Sequence, residues 1–439
     1  MRNLMLAACL IAARVAAAAT SPYDAARSAI KNIGVTEGKE LDVLIAQPAS
    51  PALLADKRVA AFLNDNQAAL ESFRQAAEQS SDGYLFAPKA ETLNSKTPIP
   101  LYSEYMKLIK LLVLDAEVQT ARKQRSLVEK DMLAATGFLV QVSEQKSGAM
   151  IATLVQTLCL KAAYPVLLES IRGRSSSAYL KEISNRLAQV ERNQDFAKAA
   201  FLEEAARNKG SFREGTAPGS LAEAREKYPF WKRLAARKLQ DAEFFSILYK
   251  MVDAGIDDRT QALIEAFRAN APERISLFDK KREQEILSRK QARDKRSAWT
   301  DLTEGLKNGT EGTKRRMAEA VADMMFAIAP PQYDKILPIY HVFFCELNVL
   351  RAGLAVKLDQ RAYGRLPADL NMLVPAFLSA VPQDSFNGFH PMRYVRTGNK
   401  FLVYSFGPDG KDNGGLTVLD WEAYSDDPTR SAGDIVYSD

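Results

Sequence analysis

Histidine and cysteine are scarce in this chain, at two and three in 439 residues. A zinc site built on imidazole and thiolate ligands therefore has little to draw on. Cys9 lies in the apolar leader, and without it only Cys159 and Cys345 remain, too few and too far apart for a disulfide scaffold. The chain also has no G-x-S-x-G elbow, no G-x-x-x-x-G-K phosphate loop and no H-E-x-x-H helix. Those absences remove the usual signatures of serine hydrolases, nucleotide-binding loops and zinc proteases, and no catalytic residue is assigned. The formal net charge is +5, yet no stretch joins a concentrated basic face to interleaved aromatics, so nucleic acid is not an expected partner. Beyond the leader no segment offers the roughly 20 uncharged residues that cross a bilayer. The nearest, residues 150–168, carries Lys161 and Pro165 and reads as a buried helix.

What is present begins with the leader. Arg2 supplies a positive start, Leu4 to Ala13 an apolar run, and Ala17 and Ala19 the small residues of a cleavage site before Thr20. This is the layout of a Sec-type signal peptide over residues 1–19 and predicts a periplasmic or secreted protein. Leu6-Ala7-Ala8-Cys9 looks like a lipobox, with too few apolar residues before it for a normal hydrophobic region.

Hydrophobic residues at 47% and charged residues at 26% are ordinary globular values, and the length suits two or three domains. Apolar residues recur every three or four positions in VAAFLNDNQAALESFRQAA and YMKLIKLLVLDAEVQTA, which predicts packed amphipathic helices over a first region, residues 20–208. Gly, Ser and Pro cluster at 209–220, read as a loop, and a second helical region follows at 221–335. Its Lys280-to-Arg296 stretch mixes Glu283 and Glu285 among basic residues, the pattern of a solvated helix face.

The character changes over residues 336–439. A strongly apolar helix is predicted from about Leu337 to Tyr363, with Gly364 as its C-cap, then a short helix in ADLNMLVPAFL. MRYVRTGNKFLVYSF reads as a hairpin about Thr397-Gly398-Asn399, and DIVYS as a last strand. The expected fold class is mainly α: a helical bundle or array followed by a small α+β domain, a long helix plus a short antiparallel sheet.

Within this last region Gly364, Pro367 and Leu370 form a G-x-x-P-x-x-L ending. Pro382 and Asp384 form a P-x-D turn, and Ser405, Gly407, Asp409 and Gly410 form the S-x-G-x-D-G loop of YSFGPDGKDNGG. In their order and spacing these words resemble the globular domain of the major pseudopilin of type II secretion systems. The match covers roughly residues 345–439. The resemblance implies a calcium-binding loop, with ligands at Asp409, the Phe406 carbonyl and Asp434; Asp412 of the same loop is counted with them. The Sec-type leader and some three hundred intervening residues depart from the pseudopilin N-terminus, so filament assembly is not carried over.

The chemistry of the tail agrees with a hard cation. Asp409, Asp412, Asp420, Glu422, Asp426, Asp427 and Asp434 crowd against only Lys411 and Arg430, and calcium takes six to eight carboxylate and carbonyl oxygens. An EF-hand fails, since its third position would be Lys411. The same Asp, Asn and Gly residues also serve a plain turn-rich loop. His341 and Cys345 share a helix face with Glu346, but Val342, Phe343, Phe344 and Leu347 around them read as core. The expectation is a non-enzymatic cell-envelope protein with protein partners, linked to type II secretion or pilus machinery and stabilised by calcium. The alternative is a secreted hydrolase using the C-terminal carboxylates.

Overall fold

The computed structural model describes residues 23–30, 54–79, 102–144, 149–173, 175–192, 196–215, 242–294, 312, 314–316, 318–323, 333–417 and 432–439. The leader with Cys9, residues 216–220 of the expected loop, and Asp420, Glu422, Asp426 and Asp427 lie outside these described residues. In chain order the helices are α1 (Asp24–Ala29), α2 (Lys57–Asp65), α3 (Gln67–Glu78), α4 (Tyr102–Ala121) and α5 (Arg125–Ser143). They continue as α6 (Ala149–Arg172), α7 (Ser177–Arg192), α8 (Phe196–Gly215), α9 (Ala242–Ala269), α10 (Pro272–Asp294) and α11 (Tyr333–Tyr363). A small antiparallel sheet closes the chain, so the fold is mainly α with a C-terminal α+β module, as the sequence predicts.

Two compact units form, one from Met1–Lys89, Pro98–Ala200 and Pro338–Asp439, the other from Ala90–Thr97 and Phe201–Leu337. In the first, α2 opens on Asp56, whose carboxylate accepts the Arg58 N–H at 2.8 Å, a standard N-cap. The chain turns into α3 at Asn66, whose side-chain amide donates to the Phe62 carbonyl at 2.9 Å. Tyr23, Phe73, Tyr105 and Phe138 form a buried aromatic cluster with centroids 5.0–5.9 Å apart. Fully burying such rings contributes on the order of 1.5–3 kcal/mol each. α5 lies so close to α3 that a Cβ on Gly137 would sit 2.5 Å from the Ala77 carbonyl oxygen. Gln141 completes that junction by donating to the Ala76 and Gln79 carbonyls at the end of α3, at 2.9 and 2.7 Å.

α6, predicted from residues 150–168, is a buried helix with Pro165 inside it. Cys159 and Cys345 are both free and buried. α11 runs four residues further at its start than the sequence suggests and ends as expected, the Gly364 N–H donating to the Gln360 carbonyl at 2.8 Å with φ +71°. Its Ile339–Tyr363 portion is long and apolar enough to cross a membrane by length and composition alone, and 89% of that apolar window is buried inside the fold.

The predicted helix at ADLNMLVPAFL is cut to a single 3₁₀ turn, Leu370–Leu373. Pro375 brings no N–H and disfavours helical backbone at the residue before it; Val374 is accordingly extended, at φ −95° and ψ 134°. β1 (Gln383–Asp384) pairs with β2 (His390–Pro391). The hairpin is β3 (Arg393–Thr397) and β4 (Lys400–Ser405), joined by Gly398 at φ +62° and Asn399. Glycine in the first place of a two-residue turn meets the strands' twist at no steric cost. β5 (Ile435–Ser438) pairs antiparallel with β4, giving the order β3-β4-β5.

Tyr437 of β5 fastens this sheet to α11. Its ring stacks on Phe401 at 5.4 Å and lies over Gly353, where a Cβ would come within 2.5–2.8 Å of the ring carbons. The outer edge of β5 is covered by α6: the Tyr164 hydroxyl donates to the Val436 carbonyl at 3.4 Å and Arg172 to the Ser438 hydroxyl at 3.0 Å. Lys357 of α11 donates to the Arg172 carbonyl at 2.7 Å and pairs with Asp439 at 2.5 Å.

In the second unit Phe212, Phe244, Leu248, Val252 and Val321 make the core. Residues 209–215, predicted as loop, belong to α8. Phe212 is buried in that core, and Lys209 and Arg213 pair with Asp257 and Asp253 of α9, so packing overrides the local breakers. α10 is the solvated mixed-charge helix expected, with Arg259–Asp279 at 2.9 Å and Arg289–Asp323 at 2.7 Å along it.

Gly353→Ala places a methyl group where the Tyr437 ring now lies. The helix-propensity gain of alanine is smaller than the overpacking cost, and a net loss of about 1–2 kcal/mol is expected in urea denaturation. Unchanged stability would mean that the ring does not rest on the α11 backbone.

Candidate metal centre

The loop after β4 is built from short turns. Gly407 has φ +70°, and a Cβ there would lie 2.1 Å from the Gly433 carbonyl oxygen, so no other residue fits. The Gly410 N–H closes a turn onto the Gly407 carbonyl at 3.0 Å, placing Asp409 at its corner. Asp409 then accepts the Lys411 N–H at 3.1 Å, and Asp412 accepts the Gly414 N–H at 3.0 Å. Both are local side-chain-to-backbone closures that Asp makes readily.

Asp434 arrives from the other side, one residue before β5, and is wholly buried. Its two oxygens accept the N–H groups of Asn413 at 3.2 Å and Gly415 at 2.6 Å, while its own N–H donates to the Leu416 carbonyl at 2.8 Å. Asn413 also donates its side-chain amide to Asp409 at 3.3 Å. Asn413 thus joins the two aspartates that the sequence reading assigned to one ion, its backbone on Asp434 and its side chain on Asp409. Asp412 is more exposed; it accepts the Tyr404 hydroxyl at 3.0 Å and faces Arg393 at 3.7 Å. Burial pushes the Asp434 carboxyl above the usual carboxylate range, with the Gly415 and Asn413 N–H groups pulling against it and Asp412 adding to it.

Phe406 is held from behind by Asp384, the aspartate of the P-x-D turn. One Asp384 oxygen accepts the Phe406 N–H at 2.9 Å; the other accepts the Ser405 hydroxyl at 2.7 Å and the Phe386 N–H at 2.9 Å. The Cys345 thiol of α11 lies 3.4 Å from that second oxygen and 3.3 Å from the Ser385 hydroxyl. One buried carboxylate therefore ties α11, the turn after β1 and the end of β4 to the start of the loop. The Asp-Ser-Phe turn is visible in sequence, but which groups it would meet is set by the sheet. Cys345 is a core thiol, as expected: burial, with Asp384 adding to it, pushes it up to about 12, far from a reactive thiolate. His341 is likewise buried, edge-on to Phe386 and Phe389.

Of the donors that the resemblance implies, the Phe406 peptide and Asp409 lie on this loop and Asp434 is bonded to it, with Asp412 on the same loop. Their chemistry is oxygen alone, the kind a hard cation takes. Each ionised carboxylate has about four acceptor sites, so the hydrogen bonds leave coordination capacity on all three. Asp434 forms no ion pair with lysine or arginine among the described residues. Among the described residues no three His, Cys, Asp or Glu side chains are grouped as a cage.

Asp384→Ala removes the acceptor for three buried donors and the thiol. A loss of about 3 kcal/mol or more is expected from denaturation, while Cys345 in the wild-type chain should resist a thiol reagent until the fold is opened with urea. Rapid labelling of Cys345 in the native protein would contradict this assignment. Comparison with protein-family models, with curated proteins and with solved structures finds no match to this chain.

Proposed function

We propose that this is a non-enzymatic cell-envelope protein in which a helical unit carries a pseudopilin-like module whose loop is stabilised by calcium. The observation that carries the reading is Asp434: a buried carboxylate that closes the last strand onto the 406–415 loop beside Asp409 and Asp412, with backbone N–H groups as its partners. Asp409 and Asp412 on the loop and Asp434 against it are like charges, Asp412 acting on Asp434 directly, and such charges repel unless solvent or a cation offsets them. Calcium, when bound, supplies that positive charge; Phe406 through its carbonyl, Asp409, Asp412 and Asp434 would hold it.

The use of the buried acids speaks for structure rather than hydrolysis. Both oxygens of Asp384 and both of Asp434 accept donors from neighbouring backbone and side chains, so each carboxylate ties segments of the module together. The module's resemblance to a pseudopilin points to protein partners in the envelope, of the type II secretion or pilus kind, and the leader to a periplasmic or secreted location.

Calcium at a hundred times its dissociation constant would add about 2.7 kcal/mol to the stability of the folded form. Melting of the purified chain should therefore rise with calcium and fall in chelator, and Asp434→Asn should abolish the difference while the helical circular dichroism is kept. Identical melting in calcium and in excess chelator, together with no metal by elemental analysis, would refute the calcium reading. Retention of a secretion or pilus component from envelope extracts on the full chain, lost in the Asp434→Asn variant, checks the partner reading.

A further inference from the structure

A second charged centre lies in the helical part of the first unit, far in sequence from the acidic loop. Arg74 of α3 donates through Nε to Asp131 of α5 at 2.7 Å and through a terminal nitrogen to Asp115 of α4 at 2.6 Å. All three side chains are buried, Asp131 completely. Gln119 donates to the other Asp115 oxygen at 3.1 Å. Two carboxylates therefore share one guanidinium in a place closed to water, and the sum of the three charges is negative.

The hydrogen bonding lacks a donor at two named atoms. Asp131 Oδ2 is buried without a hydrogen-bond partner, and so is Gln119 Oε1 of the same network. Leaving an ionised oxygen without a donor in the interior carries a large desolvation cost. Among the described residues the nearest cation besides Arg74 is Lys130, which acts on Asp131 only from a distance and is itself engaged elsewhere. Arg74 also faces Glu71 at 3.6 Å, and Lys130, beside Asp131 on α5, is bonded to that same Glu71 at 3.0 Å. On α7, Arg186 is engaged with Glu182 and the Leu133 carbonyl. Residues 155–160 of α6 carry no charge, and Lys161 beyond them acts on Glu346.

We propose that Asp131 is a proton-binding site of the helical bundle, taking one proton from solvent on Oδ2 and thereby leaving Arg74 and Asp115 as a matched ion pair. The proton removes the surplus charge that α3, α4 and α5 would otherwise enclose, and with it the cost of an ionised oxygen that no donor meets. Burial of this carboxyl pushes it up to about 7, Arg74 and Lys130 opposing the shift and Asp115 adding to it. The unfolded chain releases this proton at the ordinary aspartate value near 4. The stabilising contribution is therefore complete below about pH 4 and is lost as pH rises through about 7, so the bundle is firmer in mildly acidic than in alkaline surroundings.

The test is a carbon-13 carboxyl NMR titration of the full chain, with Asp131 assigned through its bonds to its own backbone. In the wild-type protein Asp131 should titrate near pH 7, two to three units above the exposed aspartates. Asp115→Asn, which leaves one carboxylate for one guanidinium, should move that midpoint toward acid. Asp131→Asn should flatten the fall of the urea midpoint between pH 5 and pH 8 relative to wild type. Titration of Asp131 together with the exposed aspartates in the wild-type chain would overturn the proposal, and so would an Asp115→Asn variant that folds and leaves the Asp131 midpoint in place. The wild-type titration decides the matter even where a variant does not fold.

Discussion

From Tyr340 to Asp359 α11 is buried on nearly every side, charged residues included, and covering it is the condition that the rest of the first unit meets. Bundle helices lie against one part of its surface and the small sheet against another. Hydrophobic burial of this kind is non-directional and tells the chain only that α11 goes inside. The direction comes from Gly353, the one place where the helix backbone is bare enough to receive the Tyr437 ring. Once that ring is seated, β5 is fixed, β4 pairs with it, and the loop between them has a defined mouth.

The polar residues that α11 carries into this interior each end on a specific group. Arg351 pairs with Glu191 of α7, Lys357 reaches Asp439 and the last carbonyl of α6, and Arg361 donates to the Ser175 carbonyl at 2.6 Å. Glu346 faces Lys161, and its burial pushes the carboxyl up to about 8 with Lys161 opposing. Breaking such a pair leaves an uncompensated buried charge, a far larger loss than the pair's own contribution. These contacts act as a register for how the sheet and α6 meet along the helix. Asp384 does the same for the loop, and Arg74 for α3, α4 and α5, each through one buried group that satisfies several donors or acceptors at once.

The two charged centres differ in how completely they close. Asp384 has a donor for each oxygen, and nothing about it asks for a ligand. At Asp434 both oxygens are bonded yet no lysine or arginine pairs with it among the described residues, and at Asp131 one oxygen has no donor. The proposed calcium at the loop would answer a deficit of positive charge; the proposed proton on Asp131 answers an ionised oxygen left without a donor in a packed interior.

The helices, the Gly364 cap, the hairpin about Gly398 and the last strand were legible in the sequence, because periodicity, capping and turn chemistry are local properties of the chain. Asp409 and Asp434 stood out through the resemblance to a pseudopilin loop, and the crowding of carboxylates in one short tail, Asp412 among them, agreed with it. What tertiary structure alone decided is which partner each polar group meets. Nothing near Asp384 in sequence announces Cys345 or Ser405, and nothing near Arg74 announces Asp115 and Asp131, 41 and 57 residues away. The helical state of residues 209–215 and the short 3₁₀ turn at 370–373 show the same division: burial of Phe212 overruled its glycines, and Pro375 ended a helix that its neighbours favoured. Local chemistry set the elements; desolvation, which depends on everything packed around a group, set their charges and their partners.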